Sequence, residues 1–225
     1  MARVEAPSVN VRSKILLAAA ELFLERGYSA STIRDIAEVA GVNRGSVAFA
    51  FKHKEAIMCE LVGNVLEGQF QKTAELIKGR TDDKVLFYAF ETTLQLYMAE
   101  SSEHIRELYS VAYSMSESSQ IIYRKITNKL QCIFAETLPH LKPMDFYERE
   151  IASAGIMRNF MTVPCDIYFD MNRKVKAFLK TTFLVYEVSE EKIKEAIDFV
   201  MQYDFRAIAK ETIDGMLNQL KNNIG

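Results

Sequence analysis

The sequence predicts an all-α protein made of a small N-terminal head of three short helices and a larger helical body. Three observations carry that expectation. Only nine Gly and four Pro occur in 225 residues, too few for a turn-rich sandwich or barrel. Apolar residues recur with the 3.6-residue period of a helix from residue 11 to residue 221, and no stretch alternates with period two for long enough to make a sheet. Bulk is also unevenly spread: 20 of the 24 Phe and Tyr, and eight of the ten Met, follow residue 60, so a lightly built head precedes a heavy body. Residues 1–54 are assigned to the head and 55–225 to the body.

In the head, Ile15, Leu16, Ala19, Leu22 and Phe23 mark one face of an amphipathic helix from Val11 to Arg26, which Gly27 stops. Ser31 or Thr32 can cap the next helix, with Asp35 three residues after Thr32 in capping-box position. Ile33, Ile36, Ala37 and Ala40 form its buried stripe. Gly41 supplies a left-handed turn, Val42 plugs the corner, and Asn43 caps a third helix that begins at Arg44. Two short helices joined through Gly-Val-Asn, with small Ala37 at their crossing and Val47 packing back, make a helix-turn-helix.

In that motif the start of the second helix reaches base edges, and caps, hydroxyls and lysines at the margins hold phosphates. Arg44 is the first candidate, because a guanidinium takes guanine O6 and N7 together. Asn43 at the cap, Ser46, and the Thr32 hydroxyl at the start of the preceding helix follow. Phe49 either meets a thymine methyl or packs on the head's own core beside Phe51.

The stretch from Val11 to Val62, with ILLAAAELFLERGYSASTIRDIAEVAGVNRGSVAFAFKHKEAI at its centre, resembles the DNA-binding head of the TetR family of bacterial transcriptional repressors. The resemblance implies a base-reading position at Arg34 and a phosphate contact at Lys54, assisted by Lys52. The sequence departs from the family pattern at Ala48 and Ala50, where the family commonly carries hydrogen-bonding aromatic or histidine side chains. Residues 1–10, with Arg3, are expected to fray, a minor-groove arm being the alternative.

The body reads as helices at about 54–78, 82–100, 103–115, 118–138, 144–162, 167–186 and 190–221. The resemblance implies a C₂ homodimer in which the last two long helices pair with their twins, with Phe178, Phe183, Ile208, Leu217 and Leu220 as interface candidates. The middle helices place Phe87, Phe90, Tyr97, Met98, Tyr109, Tyr113, Tyr123, Phe134, Phe160 and Met161 toward a bundle interior. A lining of this kind deforms around a bulky apolar ligand, although it is equally ordinary core.

The remaining residues exclude other classes. With 28 Lys+Arg against 30 Asp+Glu the formal charge is −2, so nucleic-acid binding requires a local patch rather than a basic chain. Cys59, Cys132 and Cys165 stand apart with no Cys-x-x-Cys, and read as buried thiols of a reducing cytosol. No metal, cofactor or membrane partner is expected, nor is catalysis: the three His lie apart, Glu148 and Glu150 sit on different helix faces as solvated surface, and no phosphate loop or nucleophile elbow occurs. The chain is therefore expected to be a cytoplasmic regulator, a repressor released from a palindromic duplex operator by a small apolar or amphipathic effector. A helical small-molecule or partner binder of the same fold, with lost operator recognition, is the alternative.

Overall fold

The computed structural model describes residues 9–224, which fold into eleven helices: α1 (Val9–Arg26), α2 (Ile33–Val39), α3 (Arg44–Ala50), α4 (Lys54–Ile77), α5 (Lys84–Glu100), α6 (Glu103–Ser114), α7 (Ser116–Phe134), α8 (Pro143–Thr162), α9 (Met171–Val185), α10 (Glu190–Val200) and α11 (Phe205–Asn222). Most begin at a short polar side chain that accepts from the first free amides: Thr32, Asn43, Asp83, Ser102, Asp170, Ser189 and Asp204. The expected capping box at α2 forms, Thr32 Oγ1 accepting from Asp35 N while Asp35 Oδ2 accepts from Thr32 N.

The three short helices pack around Ile15, Leu22, Phe23, Ile36 and Val47, all buried. The long helix α4 then carries the chain into the body, where α5 is the central element, buried on nearly every side and contacted by α4 and by α6 through α11. An aromatic cluster holds the far side of the body: Phe134 stacks on Tyr186 with centroids 4.3 Å apart, and Tyr88 meets both edge-on.

The structure corrects the expected element plan in four places, the first being the end of α7 at Phe134 rather than at 138. Helix α1 starts at Val9, and Asn10 Nδ2 donates to Ile224 O at 2.9 Å, so residues 9 and 10 belong to the head rather than to an arm; residues 1–8, with Arg3, lie outside the described residues. The expected single helix 190–221 is two. Asp204 Oδ1 accepts from Arg206 N and Ala207 N, starting a new helix, and buried Phe205 beside it packs 4.7 Å from Phe90. The turn lets α10 lie on α5 and α9 while α11 lies on α5, α4 and α1. Helix α9 begins at Met171 instead of 167, because residues 163–170 are held as a loop by Lys174.

Lys174 is 1% exposed; its Nζ donates to Glu100 Oε2 and to Val163 O, both at 2.6 Å, and Glu100 Oε1 accepts from Cys165 N. Burial opposes the Glu100 charge, yet Lys174 and these hydrogen bonds hold its carboxyl below its ordinary range. Replacing Lys174 by Met leaves Glu100 without its strongest partner. We expect a loss of about 3 kcal/mol in urea unfolding and selective loosening of residues 163–170 in hydrogen exchange.

Candidate nucleic-acid interface and interior cavities

The turn between α2 and α3 is set by Gly41, whose φ of +65° places it in the left-handed region, and by Val42 N donating to Ala37 O at 3.0 Å. Ala37 is 3% exposed, as the close crossing requires. Asn43 Oδ1 caps α3 by accepting from Ser46 N at 2.8 Å and Ser46 Oγ at 3.2 Å, so both polar side chains at this start are engaged with each other. The Thr32 hydroxyl is likewise spent, donating to Asp35 Oδ2 at 2.7 Å.

Three cations remain among the candidate DNA contacts. Arg34, Arg44 and Lys52 are exposed and make no hydrogen bond or ion pair among the described residues, so their donors are free for an anionic partner. Val47 anchors α3 from beneath, and Phe49 stands outward with 48% of its surface exposed. Phe51 is buried in the head, which separates the two phenylalanines that the sequence leaves open. Arg12, which sequence reading missed, fixes the end of α3: its guanidinium lies 4.1 Å from the Phe51 ring centroid, Nη1 donates to Ala50 O at 2.8 Å, and Glu60 pairs with it.

Lys54, expected at a phosphate, is engaged within the fold. Its Nζ donates to Tyr28 O and Ser31 O, both at 2.9 Å, and lies 4.0 Å from the centroid of the Tyr28 ring. It ties α4 to the turn between α1 and α2 and is not offered to solvent as a free cation. The same turn is held from α6. Glu107 accepts from Tyr28 N at 3.0 Å and Ser29 N at 2.9 Å, and His104 Nδ1 donates to Leu24 O at 3.0 Å. Nothing in the sequence announces these partners, which lie nearly eighty positions away.

Two cavities, each partly open to the surface, bear on the fold. The larger, about 140 Å³, is almost wholly apolar and is bounded by α1, α4, α5, α6, α7 and α11. Of the ten residues expected to line a pocket, the structure brings Met98, Tyr109 and Tyr113 to its wall. The other seven serve as packing elsewhere. Phe87 stacks on Phe70, Phe90 and Tyr97 pack on Phe205, Phe134 stacks on Tyr186, and Phe160 packs on Phe169 and Phe178. Tyr123 meets Tyr147 edge-on, and Met161 is buried. Leu217 and Leu220, expected at a dimer interface, instead line this cavity. Phe178 and Phe183 are fully buried within the chain and form no outward face, while Ile208, Leu217 and Leu220 are half-buried, Ile208 and Leu220 packing on its core.

The second cavity, about 30 Å³, is bounded by α4, α5, α6, α7 and α8 and carries several polar side chains among its apolar ones. Glu150, expected on the surface, is 3% exposed there, facing Ser153 Oγ at 2.9 Å, which in turn meets Tyr186 Oη at 2.7 Å. Glu91 Oε1 accepts from Gln95 Nε2 at 2.6 Å, and Gln95 Oε1 accepts from Tyr113 Oη at 3.2 Å. Burial pushes the Glu91 carboxyl up to about 7 and that of Glu150 well above its ordinary value. The thiols also differ from expectation: Cys132 is exposed, and Cys59 and Cys165 are half-buried. No group of His, Cys, Asp and Glu that could hold a metal occurs among the described residues, and no helix there is long and apolar enough to cross a membrane.

Comparison with known proteins gives a consistent picture. The family model described as bacterial regulatory proteins, tetR family, matches residues 15–61. The HTH-type transcriptional repressor KstR2 of Rhodococcus jostii is 38% identical over 82 residues, covering 36% of this chain and 40% of that protein. The chain thus spans less than half of KstR2's length. The HTH-type transcriptional regulator QacR of Staphylococcus aureus is 29% identical over 134 residues, 57% of this chain and 71% of that one. The solved structure of SmeT, the repressor of a Stenotrophomonas maltophilia multidrug efflux pump, superposes with a TM-score of 0.56 at 21% identity over 80% of this chain and 92% of SmeT, a likeness of fold.

The buried carboxyls make stability pH-dependent with a definite sign. Between the ordinary glutamate value of 4.5 and about 7, Glu91 holds a proton in the folded chain that the unfolded chain has released, so stability falls as pH rises through that window. Glu150 adds to the fall in the same sense. Glu91→Gln should therefore flatten the profile, gaining about 3 kcal/mol at pH 8 and nothing at pH 4. Urea unfolding at the two pH values checks this.

Proposed function

Because the chain belongs to the tetR family of bacterial regulatory proteins, we propose that it is a DNA-binding transcriptional regulator, a repressor that leaves a palindromic operator when a small apolar or amphipathic molecule binds. The observation that carries this reading is the helix-turn-helix whose outward side presents Arg44, Arg34 and Lys52 with no internal partner, while the inward side is pinned by Val47, Phe51 and Arg12. A rigidly backed short helix with a free guanidinium at its first turn is what base reading in a major groove needs. Ala48 stands exposed and Ala50 half-buried on the same helix, with no hydrogen-bonding group at either position. These alanines favour the second reading, a small-molecule binder of the same fold with lost operator recognition. The steepness of salt dependence separates the two, since only counterion release from phosphates makes affinity fall sharply with salt.

A palindromic site calls for a two-fold dimer. The surface that supports one is on α8 and α9, where Met144, Tyr147 and Ile151 fall on one exposed line and Leu184, 69% exposed, stands on the neighbouring helix. A second copy of the chain is the occupant this reading assigns to that face, because self-complementary apolar surface is what a C₂ axis pairs.

Two outcomes follow. On a duplex selected by the protein from a random pool, Arg44→Ala should cost about 1–3 kcal/mol and relax preference at one base position, and Lys52→Ala should lower the salt slope by about one unit. Lys54→Ala should instead lower the melting temperature of the head and leave the slope unchanged. Unaltered affinity and base preference in Arg44→Ala would show the recognition helix to be misassigned. In sedimentation velocity the wild type should run as a dimer at micromolar concentration and the Ile151→Glu, Leu184→Glu double variant as a folded monomer.

A further inference from the structure

The larger cavity lies across the joint between head and body. Ala20, Phe23 and Leu24 of α1 form one wall, Leu108 and Ala112 of α6 another, and Leu217 of α11 a third. Its lining carries no Lys, Arg, His, Asp or Glu. Its two phenols are already committed, Tyr109 Oη to Gln69 Nε2 and Tyr113 Oη to Gln95 Oε1. The cavity is open on one side, but a charged group carried past its mouth would lose its hydration and gain no partner, whereas hydrocarbon would lose nothing and gain contact. Apolar cavities of about 150 Å³ stay dry and take a benzene ring, so at about 140 Å³ this one holds a ring or a short alkyl chain. Three methionines on the wall, Met58, Met98 and Met216, allow it to adapt to a longer one.

The wall of the cavity and the clamp on the head belong to the same helix. On α6, Ile105, Leu108 and Ala112 face the cavity, while His104 and Glu107, one residue away from them in sequence, hold Leu24 O and the amides of Tyr28 and Ser29. Leu24 closes the circuit, its side chain on the cavity and its carbonyl on His104. An insertion that moves α6 away from α1 must therefore draw Glu107 off the turn that leads into α2. Gly27 adds directionality: with φ at +83° and the Glu107 carboxylate where a Cβ would stand, the turn closes only around that carboxylate.

We propose that this joint cavity is the effector site, that it takes an uncharged hydrocarbon-rich molecule of alkylbenzene size, and that Glu107 on α6 is the positioning residue through which occupancy reaches the helix-turn-helix. The proposal rests on the reading of the chain as a ligand-responsive regulator, but its test does not need DNA.

The full chain, labelled at its methionine methyl carbons, is titrated with n-butylbenzene and with two charged analogues, 4-phenylbutyrate and 4-phenylbutylammonium. We expect butylbenzene to shift the methyls of Met58, Met98 and Met216 and to bind about tenfold or more tighter than either ion. Saturation should speed amide exchange at Tyr28 and Ser29 about tenfold, with α5 unaffected. Leu217→Phe, or Ala112→Leu if the first does not fold, should fill the cavity and abolish the shifts. Glu107→Gln should keep butylbenzene binding while its Tyr28 and Ser29 amides exchange fast from the outset and no longer respond. Absence of methyl shifts, or equal binding of the ions, overturns the site. Methyl shifts with unchanged exchange at Tyr28 and Ser29 overturn the coupling. Failure of the wild type to bind any duplex would count against the regulator reading and would leave both of these outcomes readable.

Discussion

The turn from Gly27 to Ser31 is the constraint on which the molecule's two parts depend. It ends α1 and opens α2, and its own bonds, Gly27 N to Phe23 O and Ser31 N to Tyr28 O, leave other carbonyl and amide capacity unfilled. Helices α4 and α6 fill it: Lys54 of α4 donates to two carbonyls, and Glu107 of α6 accepts from two amides. One cation and one carboxylate thus satisfy opposite poles of a single turn. Burial and the nearby Glu55 push the Tyr28 phenol up to about 12, so it stays neutral beneath the Lys54 ammonium and offers its ring face to the cation. The orientation of the head on the body is fixed by hydrogen bonds of defined direction, which is a stiffer arrangement than apolar contact alone.

That division of labour explains which cations of the head are free. Lys54 and Arg12 look no different in sequence from Lys52, Arg34 and Arg44, since all are lone basic residues in an amphipathic context. Their fates are decided by groups far along the chain or across the head: Arg12 meets Glu60 and Ala50 O, and Lys54 meets the turn. A local reading can place a residue on a helix and can place its cap. It cannot see a partner set by tertiary packing, such as the carbonyls of Tyr28 and Ser31 that Lys54 meets at the start of α4.

The head was legible almost residue by residue because its signals are local: Thr32 with Asp35, Gly41, Asn43 and the spacing of Ile36, Ala37 and Val47 each act within a few positions. In the body, periodicity located the helices but not their neighbours. By pattern Asp204 lies within a continuous helix, because Ile197, Val200 and Ile208 stay roughly in phase across it, yet its carboxylate starts a new one. Likewise an apolar residue at helical spacing is announced as covered, and nothing local says by what. Leu217 and Leu220 are half-buried and line the joint cavity, whereas Phe178 and Phe183 are covered by the chain's own core. Glu150 reads as surface because a charge two residues from another usually is, whereas here Ser153, backed by Tyr186, receives it inside the body.

Helix α8 shows what remains when those coverings are assigned. Its inner side carries Phe146, Ala154 and Met157 against α6 and α7, together with Glu150 and Ser153 in the second cavity. Its outer side carries Met144, Tyr147 and Ile151, and Gly155 beyond them has open space where a Cβ would stand. A helix at the surface of a monomer normally has a polar outer face, and one that is apolar on both sides is normally buried. The row on α8 is thus unaccounted for by the chain alone, and a bare backbone at Gly155 permits another helix to approach closely. The proposed twofold partner would supply on the outside what α6 and α7 supply on the inside, and would set the distance between two heads whose orientation each body already holds through Lys54 and Glu107.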